Sequence, residues 1–197
     1  MSKLNVDTIE PEGASTTLTL GASGDTVTIP SGATIDASAG TATGFGDDNT
    51  PAFSAYMSTA TTTIATATET KIALNAEEFD SDSAFDSTTN YRFTVPAGEG
   101  GKYLFSAGIS YGITTNTDGV ELRLKKNGAI IADNVYTLAT AYEWTKATLS
   151  GTWFLDLSAA DYIELYGYVV SGYTPLNYLG HATTHKTWLS GFKLAGV

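Results

Sequence analysis

The chain has 197 residues, a formal net charge of −11, only ten Lys and Arg, and no cysteine. That length supports one core with a smaller appendage, the charge offers no basic field to nucleic acid or to an anionic membrane, and the missing thiols exclude disulfide frameworks and thiolate metal centres. No apolar run reaches the ~20 residues a membrane helix needs, and Met1 to Asp7 is too polar to begin a signal peptide, so synthesis in a cytoplasm without membrane insertion is expected.

Composition changes near residue 50. The first fifty residues hold 28 Ser, Thr, Gly or Ala, one aromatic and one Lys against seven acids, whereas the other 147 hold 21 aromatics. A segment so poor in apolar surface cannot offset chain entropy alone. Yet Leu4-x-Val6, Leu18-x-Leu20 and Val27-x-Ile29 alternate between Gly, Ser and Pro turns. Either a flexible linker or a fibrous β stem, in which several copies bury one shared apolar line, fits this pattern. The division expected is an N-terminal anchor, stem and neck over 1–50, with Gly40 to Thr50 as neck, and a head over 51–197.

In the head, Ala52 to Ser58 reads as a first strand and Thr61 to Asn90 as a long excursion with short strands such as Lys71 to Leu74. Tyr91 to Tyr111 reads as an antiparallel hairpin about Pro96 and the glycines up to Gly101, which stop the ladder and reverse the chain. On its second arm Tyr103, Phe105, Ala107, Ile109 and Tyr111 share a face, opposite Lys102, Ser106 and Ser110, and form a core face. Val120, Leu122 and Leu124 alternate with charges up to Asn127-Gly128, a strong hairpin signal into Ala129 to Asp133. Ala147, Leu149, Gly151, Trp153, Leu155 and Leu157 share another face, and Asp161 to Val170 and Lys186 to Leu194 complete the set. With no helical period, the fold class is all-β, a two-sheet jelly roll.

Two resemblances carry the reading further. The order Phe93-x-x-Pro96, a glycine turn ending in Gly101, and Tyr103-x-Phe105 resembles the signature of the trimeric globular head of complement's first component, whose jelly roll is shared by tumour-necrosis-factor ligands. VELRLKKNG (120–128), LDLSAADYIEL (155–165) and SGFKL (190–194) follow in that family's order, although the turn after Pro96 is longer than usual and Ala160-Asp161 stands where Gly-Asp is common. The resemblance spans about residues 52–197 and implies a homotrimer. Residues 2–46, opening SKLNVDTIEPEGASTTLTLG, resemble the N-terminal parts of bacteriophage tail-fibre and other virion-fibre proteins.

Candidate chemistry is sparse. His181 and His185 in HATTH lack the glutamate of a two-histidine zinc hydrolase and read as a polar loop. Asp80, Asp82 and Asp86 are spaced to offer oxygens to calcium, and some resembling heads bind it, but the fixed glycine and terminal glutamate of a calcium loop are missing, so a solvated acidic turn is the simpler reading and no cofactor is expected. Ser190-Gly191 is no nucleophile elbow, and nothing suggests a catalytic triad or phosphate loop, so an enzyme is not expected. Paired carboxylates of a glycosidase would need geometry to exclude.

The expected function is a virion protein of tail-fibre type whose head recognises a host-surface glycan or protein. The alternatives are a capsid-decorating or purely structural trimer and, remotely, a glycan-cleaving enzyme. Leu4, Val6 and Ile9 are the expected anchors to another virion protein through residues 1–46. Tyr162, Tyr166 and Tyr168 occupy the strand face where an exposed sheet would show charges, and are the expected trimer interface. Strand parity gathers the long connections Gly112 to Asp118, Asn134 to Trp144 and Ser171 to His185 at one end, away from the tight turns. There Asn116, Asp118, Tyr136, Tyr142, Trp144, Tyr173, Asn177, Tyr178, His181 and His185 mix flat rings with short polar arms, suited to sugar rings.

Overall fold

A computed structural model describes residues 26–28, 31–32, 49–59, 61–112, 119–136, 146–170 and 176–194. The chain divides into two units, Met1–Phe45 and Gly46–Val197. In the first, Ser31 and Gly32 form a turn, with Gly32 at φ 85°; Leu4, Val6 and Ile9 lie outside the described residues.

The second unit is built of strands. In chain order they are β1 (Ala52–Tyr56), β2 (Thr61–Ile64), β3 (Thr70–Lys71), β4 (Ala76–Asp80), β5 (Phe85–Asp86) and β6 (Arg92–Thr94). Then follow β7 (Gly101–Gly112), β8 (Val120–Lys126), β9 (Ala129–Tyr136), β10 (Lys146–Leu157), β11 (Tyr162–Val169), β12 (Leu176–Leu179) and β13 (Trp188–Lys193). A seven-stranded antiparallel sheet runs β2-β12-β7-β13-β1-β4, with β10 on the other edge of β7. A six-stranded sheet runs β5-β6-β11-β8-β9, with β3 also on β11.

The sheets face each other across a single core, as alternation predicts. Tyr103, Phe105, Ala107, Ile109 and Tyr111 are fully buried, and meet Val120, Leu122, Leu124, Ile163, Leu165 and Val169 from the other sheet. Phe53 stacks on Phe85 and Phe93 with centroids 5.0 and 4.9 Å apart. Each such ring contributes about 1.5–3 kcal/mol by leaving water. The Tyr111 hydroxyl donates to the Glu121 carbonyl across the core at 2.6 Å, so its polar tip is satisfied where it is buried.

The hairpin at Asn127-Gly128 forms as expected between β8 and β9, both turn residues having positive φ, 52° and 81°. The expected hairpin over Tyr91 to Tyr111 does not form. Its arms enter different sheets: β6 pairs with β5 and β11, while β7 pairs with β10, β12 and β13. Phe93 and Tyr103 therefore meet across the core at 5.6 Å rather than along a ladder. The turn after Pro96 carries the chain from one layer to the other, and the inward phase of both arms is the same in either topology.

Candidate functional site

Register fixes the two ends of the sandwich. Gly101 opposes Leu157, Thr94 opposes Tyr162, and Ala52 opposes Phe192, so the turns at 95–100, 127–128 and 158–161 and the chain's entrance at Pro51 share one end. Lys193 N donates to Pro51 O at 3.1 Å and Leu194 N to Lys102 O at 2.8 Å, so the closing strand finishes there too. At the opposite end Gly112 faces Lys146 and Val120 faces both Tyr136 and Val169. The connections 113–118, 137–145 and 171–175 start and finish at this second end, but they lie outside the described residues, and with them Asn116, Asp118, Tyr142, Trp144 and Tyr173.

Of the remaining candidates, Tyr136 is the last residue of β9, opposite Val120 at the loop end. Asn177 Oδ1 accepts from Thr63 Oγ1 at 2.8 Å and so belongs to the β2–β12 pairing. Tyr178 departs from expectation: it pairs with Tyr111 and is 1 % exposed, an inward residue of β12 that fills core space and offers no surface to a ligand. His181 is exposed, its Nδ1 accepting from Thr183 N at 3.2 Å. His185 stacks on Tyr56 at 3.8 Å with Nε2 3.7 Å from Glu78, which places it on the outward face of the seven-stranded sheet beside β1 and β4. These side chains thus do not converge on one spot.

The acidic excursion is held by its own backbone. Asp80 accepts from Asp82 N and Phe85 N, and Asp86 accepts from the amides of Thr88, Thr89 and Asn90 and from Asn90 Nδ2. The amide donors of Thr89 and Thr88 are the main reason that the Asp86 carboxyl lies well below the usual carboxylate range. Among the described residues no three acids or histidines come together as a metal would need, and Asp80, Asp82 and Asp86 do not converge.

On the outward face of the six-stranded sheet, Tyr162, Tyr166 and Tyr168 stand where expected, but not in place of charges. Tyr166 opposes Arg123, Tyr168 opposes Glu121 and Glu164 opposes Lys125. The cations lie over the rings: Arg92 over Tyr162 at 4.3 Å, Lys125 over Tyr166 at 4.2 Å and Arg123 over Tyr168 at 4.0 Å. Glu69 accepts from Arg123 at 2.6 Å and Lys125 at 2.5 Å, and Lys71 reaches Glu164 at 2.5 Å. The Lys125 hydrogen bond is the largest influence lowering the Glu69 pKa. The premise that set these tyrosines apart as an uncharged face fails, because the neighbouring strands β3, β6 and β8, and Glu164 of β11 itself, supply charges.

The opposite outward face, that of the seven-stranded sheet, lacks charge along its middle strands. Phe154 opposes Leu104, Leu104 opposes Phe192 and Phe192 opposes Ala52, making an apolar row across β10, β7, β13 and β1 that continues to Phe79, opposite Ser54. Phe154 is 70 % and Phe79 52 % exposed. Hollows of about 240 Å³ beside Phe154 and Leu194, and of about 340 Å³ between Phe79 and Phe192, flank the row. Beyond it lie Thr152, Ser106, Ser190 and Ser54, then Ser150, Gly108, Trp188 and Tyr56. Between Lys102 and Asp156 at one end and Lys146 at the other, β7, β10 and β13 present no charge on this side. The sequence carried a signal for this: Leu104 and Phe154 sit in the polar phase of otherwise regular alternations.

No family model matches the sequence, and no curated protein matches it. Solved structures do. The globular domain of zebrafish complement 1qA protein superposes with a TM-score of 0.51 at 19 % identity, over 73 % of this chain and 97 % of that one. Murine APRIL superposes with a TM-score of 0.52 at 12 % identity, over 73 % of this chain and 98 % of that one. The fold is therefore the all-β, two-sheet jelly roll that the motifs around Pro96, Asn127-Gly128 and Ser190 imply.

Proposed function

We propose that this chain is a non-enzymatic virion protein, a homotrimeric bacteriophage fibre of tail-fibre type. Residues 1–46 dock on another virion protein, and the loop end of the head meets a host-surface ligand, a glycan in preference to a protein. The observation that carries the reading is the contrast between the two outward faces. Charge depletion with aromatic enrichment marks the centre of an interface, whereas a face of paired charges and cation-covered rings is already satisfied in water. The association face is then that of Phe154, Leu104, Phe192 and Phe79, not that of Tyr162, Tyr166 and Tyr168. At the β9 edge Ile130, Ile131 and Val135 are exposed at 46 %, 39 % and 58 %, a second patch for the first to meet on a neighbouring copy. Unlike patches pairing head to tail close into a ring, which is how a trimer forms.

Strand register supports the placement of the ligand end, since the chain enters the head at Pro51 while the long connections leave from the other end. The test is the mass of the full chain in solution. Light scattering at micromolar concentration should give three times the 20.6 kDa chain mass, falling to one chain for the double variant Phe79→Asp, Phe154→Asp and unchanged for Tyr166→Ala. A wild-type monomer would overturn the assembly. For the fibre role, deletion of residues 2–20 should leave a folded trimer that no longer joins particles, and normal incorporation would refute it.

A further inference from the structure

The outward face of the six-stranded sheet ends, at the β5–β6 edge, in a shallow pocket of about 370 Å³. Asp82, Ser83, Asp86, Asn90, Arg92 and Thr94 supply its polar lining, and Phe85 and Pro96 part of its apolar lining. The volume is within the range of small-molecule sites. Arg92 distinguishes it. Lys71, Arg123, Lys125, Lys126 and Lys193 each lie against a carboxylate. Among the described residues none lies within ion-pair distance of Arg92, whose guanidinium rests on the Tyr162 ring at 4.3 Å. A guanidinium stacked this way keeps its edge of N–H donors for a group beside the ring. Asp86, also at the pocket, is committed to the amides of its own turn. Asp82 is exposed, and its neighbour Ser81 donates a hydroxyl to it.

We propose that this pocket binds one ring of a neutral saccharide. The Arg92 guanidinium and the carboxylates of Asp82 and Asp86 share the lining, so an ion of either sign meets repulsion as well as attraction there. A polyol uses both: one hydroxyl oxygen accepts from Arg92 while another hydroxyl donates to Asp82, with the Thr94 hydroxyl available to either, and the C–H face of the ring packs on Pro96. The pocket stands apart from the loop end and does not depend on the fibre reading.

NMR titration of the full chain with D-glucose, D-galactose, D-mannose, N-acetyl-D-glucosamine and D-glucuronate, one at a time, tests the site. At least one neutral sugar should bind, and about tenfold more weakly to both Arg92→Met and Asp82→Ala, the effect of losing one hydrogen bond to a charged group. Tyr173→Ala, in the connection 171–175 and outside this pocket's lining, should bind it as wild type does. Asp82→Ala alters only an exposed side chain and serves as the readout even where Arg92→Met unfolds. Binding of no neutral sugar, binding of glucuronate alone, or undiminished binding by Asp82→Ala would overturn the proposal, whatever the outcome of adsorption or mass measurements.

Discussion

Trp188 lies across the bare backbone of Gly108, its partner on β7: a Cβ placed on Gly108 would stand 2.1 Å from the far edge of the indole. Glycine to alanine in a strand ordinarily stabilises by restricting the unfolded chain. Here the methyl group must displace a rigid bicyclic ring, so Gly108→Ala should cost about 1–3 kcal/mol, the range of overpacking. Thermal melting checks the sign. Because Trp188 belongs to the proposed association face, the same variant should also dissociate at higher protein concentration than wild type.

Tyr178→Ala removes a large ring from the core and should lower stability by about 3–5 kcal/mol, read from urea denaturation. Loss of adsorption in that variant would therefore report unfolding. Tyr173→Ala, which leaves this core residue in place, is the variant that addresses the connection 171–175, and its urea midpoint, measured alongside, separates a lost contact from a lost fold.

Acid should weaken the head through Asp161. Its carboxylate accepts from Lys126 at 2.8 Å, Asn127 Nδ2 at 2.6 Å and Ser158 N at 2.8 Å, and the Lys126 hydrogen bond, followed by those of Asn127 and Ser158, lowers its pKa from 3.8 to about 2. Between these values the unfolded chain binds the proton and the folded chain does not, so the contribution is present above 3.8 and is lost as pH falls through about 2. In Asp161→Asn the urea midpoint should be lower at neutral pH and should fall less steeply across that interval than in wild type.

Alkali acts through the core tyrosines. Burial, reinforced by the charges of Glu99 and Asp82, pushes the Tyr103 hydroxyl from 10.0 up to about 12, and burial pushes Tyr111 upward as well. The fold favours their protonated forms, so the stability they provide is intact below 10 and is lost as pH rises towards 12. Phenolate absorbance should therefore show Tyr103 and Tyr111 ionising only as near-ultraviolet circular dichroism is lost. Their titration in the folded protein at the ordinary value would contradict this burial.

The sequence exposed the core phase of β7, β8 and β10 because period-two alternation records which side of a strand meets apolar surface, whichever sheet it joins. It exposed the Asn127-Gly128 turn because few other dipeptides adopt positive φ twice in succession. It did not disclose that the arms around Pro96 separate into two layers, since alternation carries no information about the ladder partner. Leu104 and Phe154 were visible as breaks in a polar phase, but their alignment into one row needs the register of three strands. Tyr178 misled because LNYL is short enough for either phase to face inward, and only its pairing with Tyr111 decides between them.

The hydrogen bond from Lys193 N to Pro51 O closes the head upon itself at the end where the chain came in. A unit whose two ends leave side by side behaves as a cassette: it can be spliced into the loop of another scaffold without stretching host or guest. Its far end, tethered to neither flank, is free to exchange one set of connecting segments for another while the sandwich beneath stays the same.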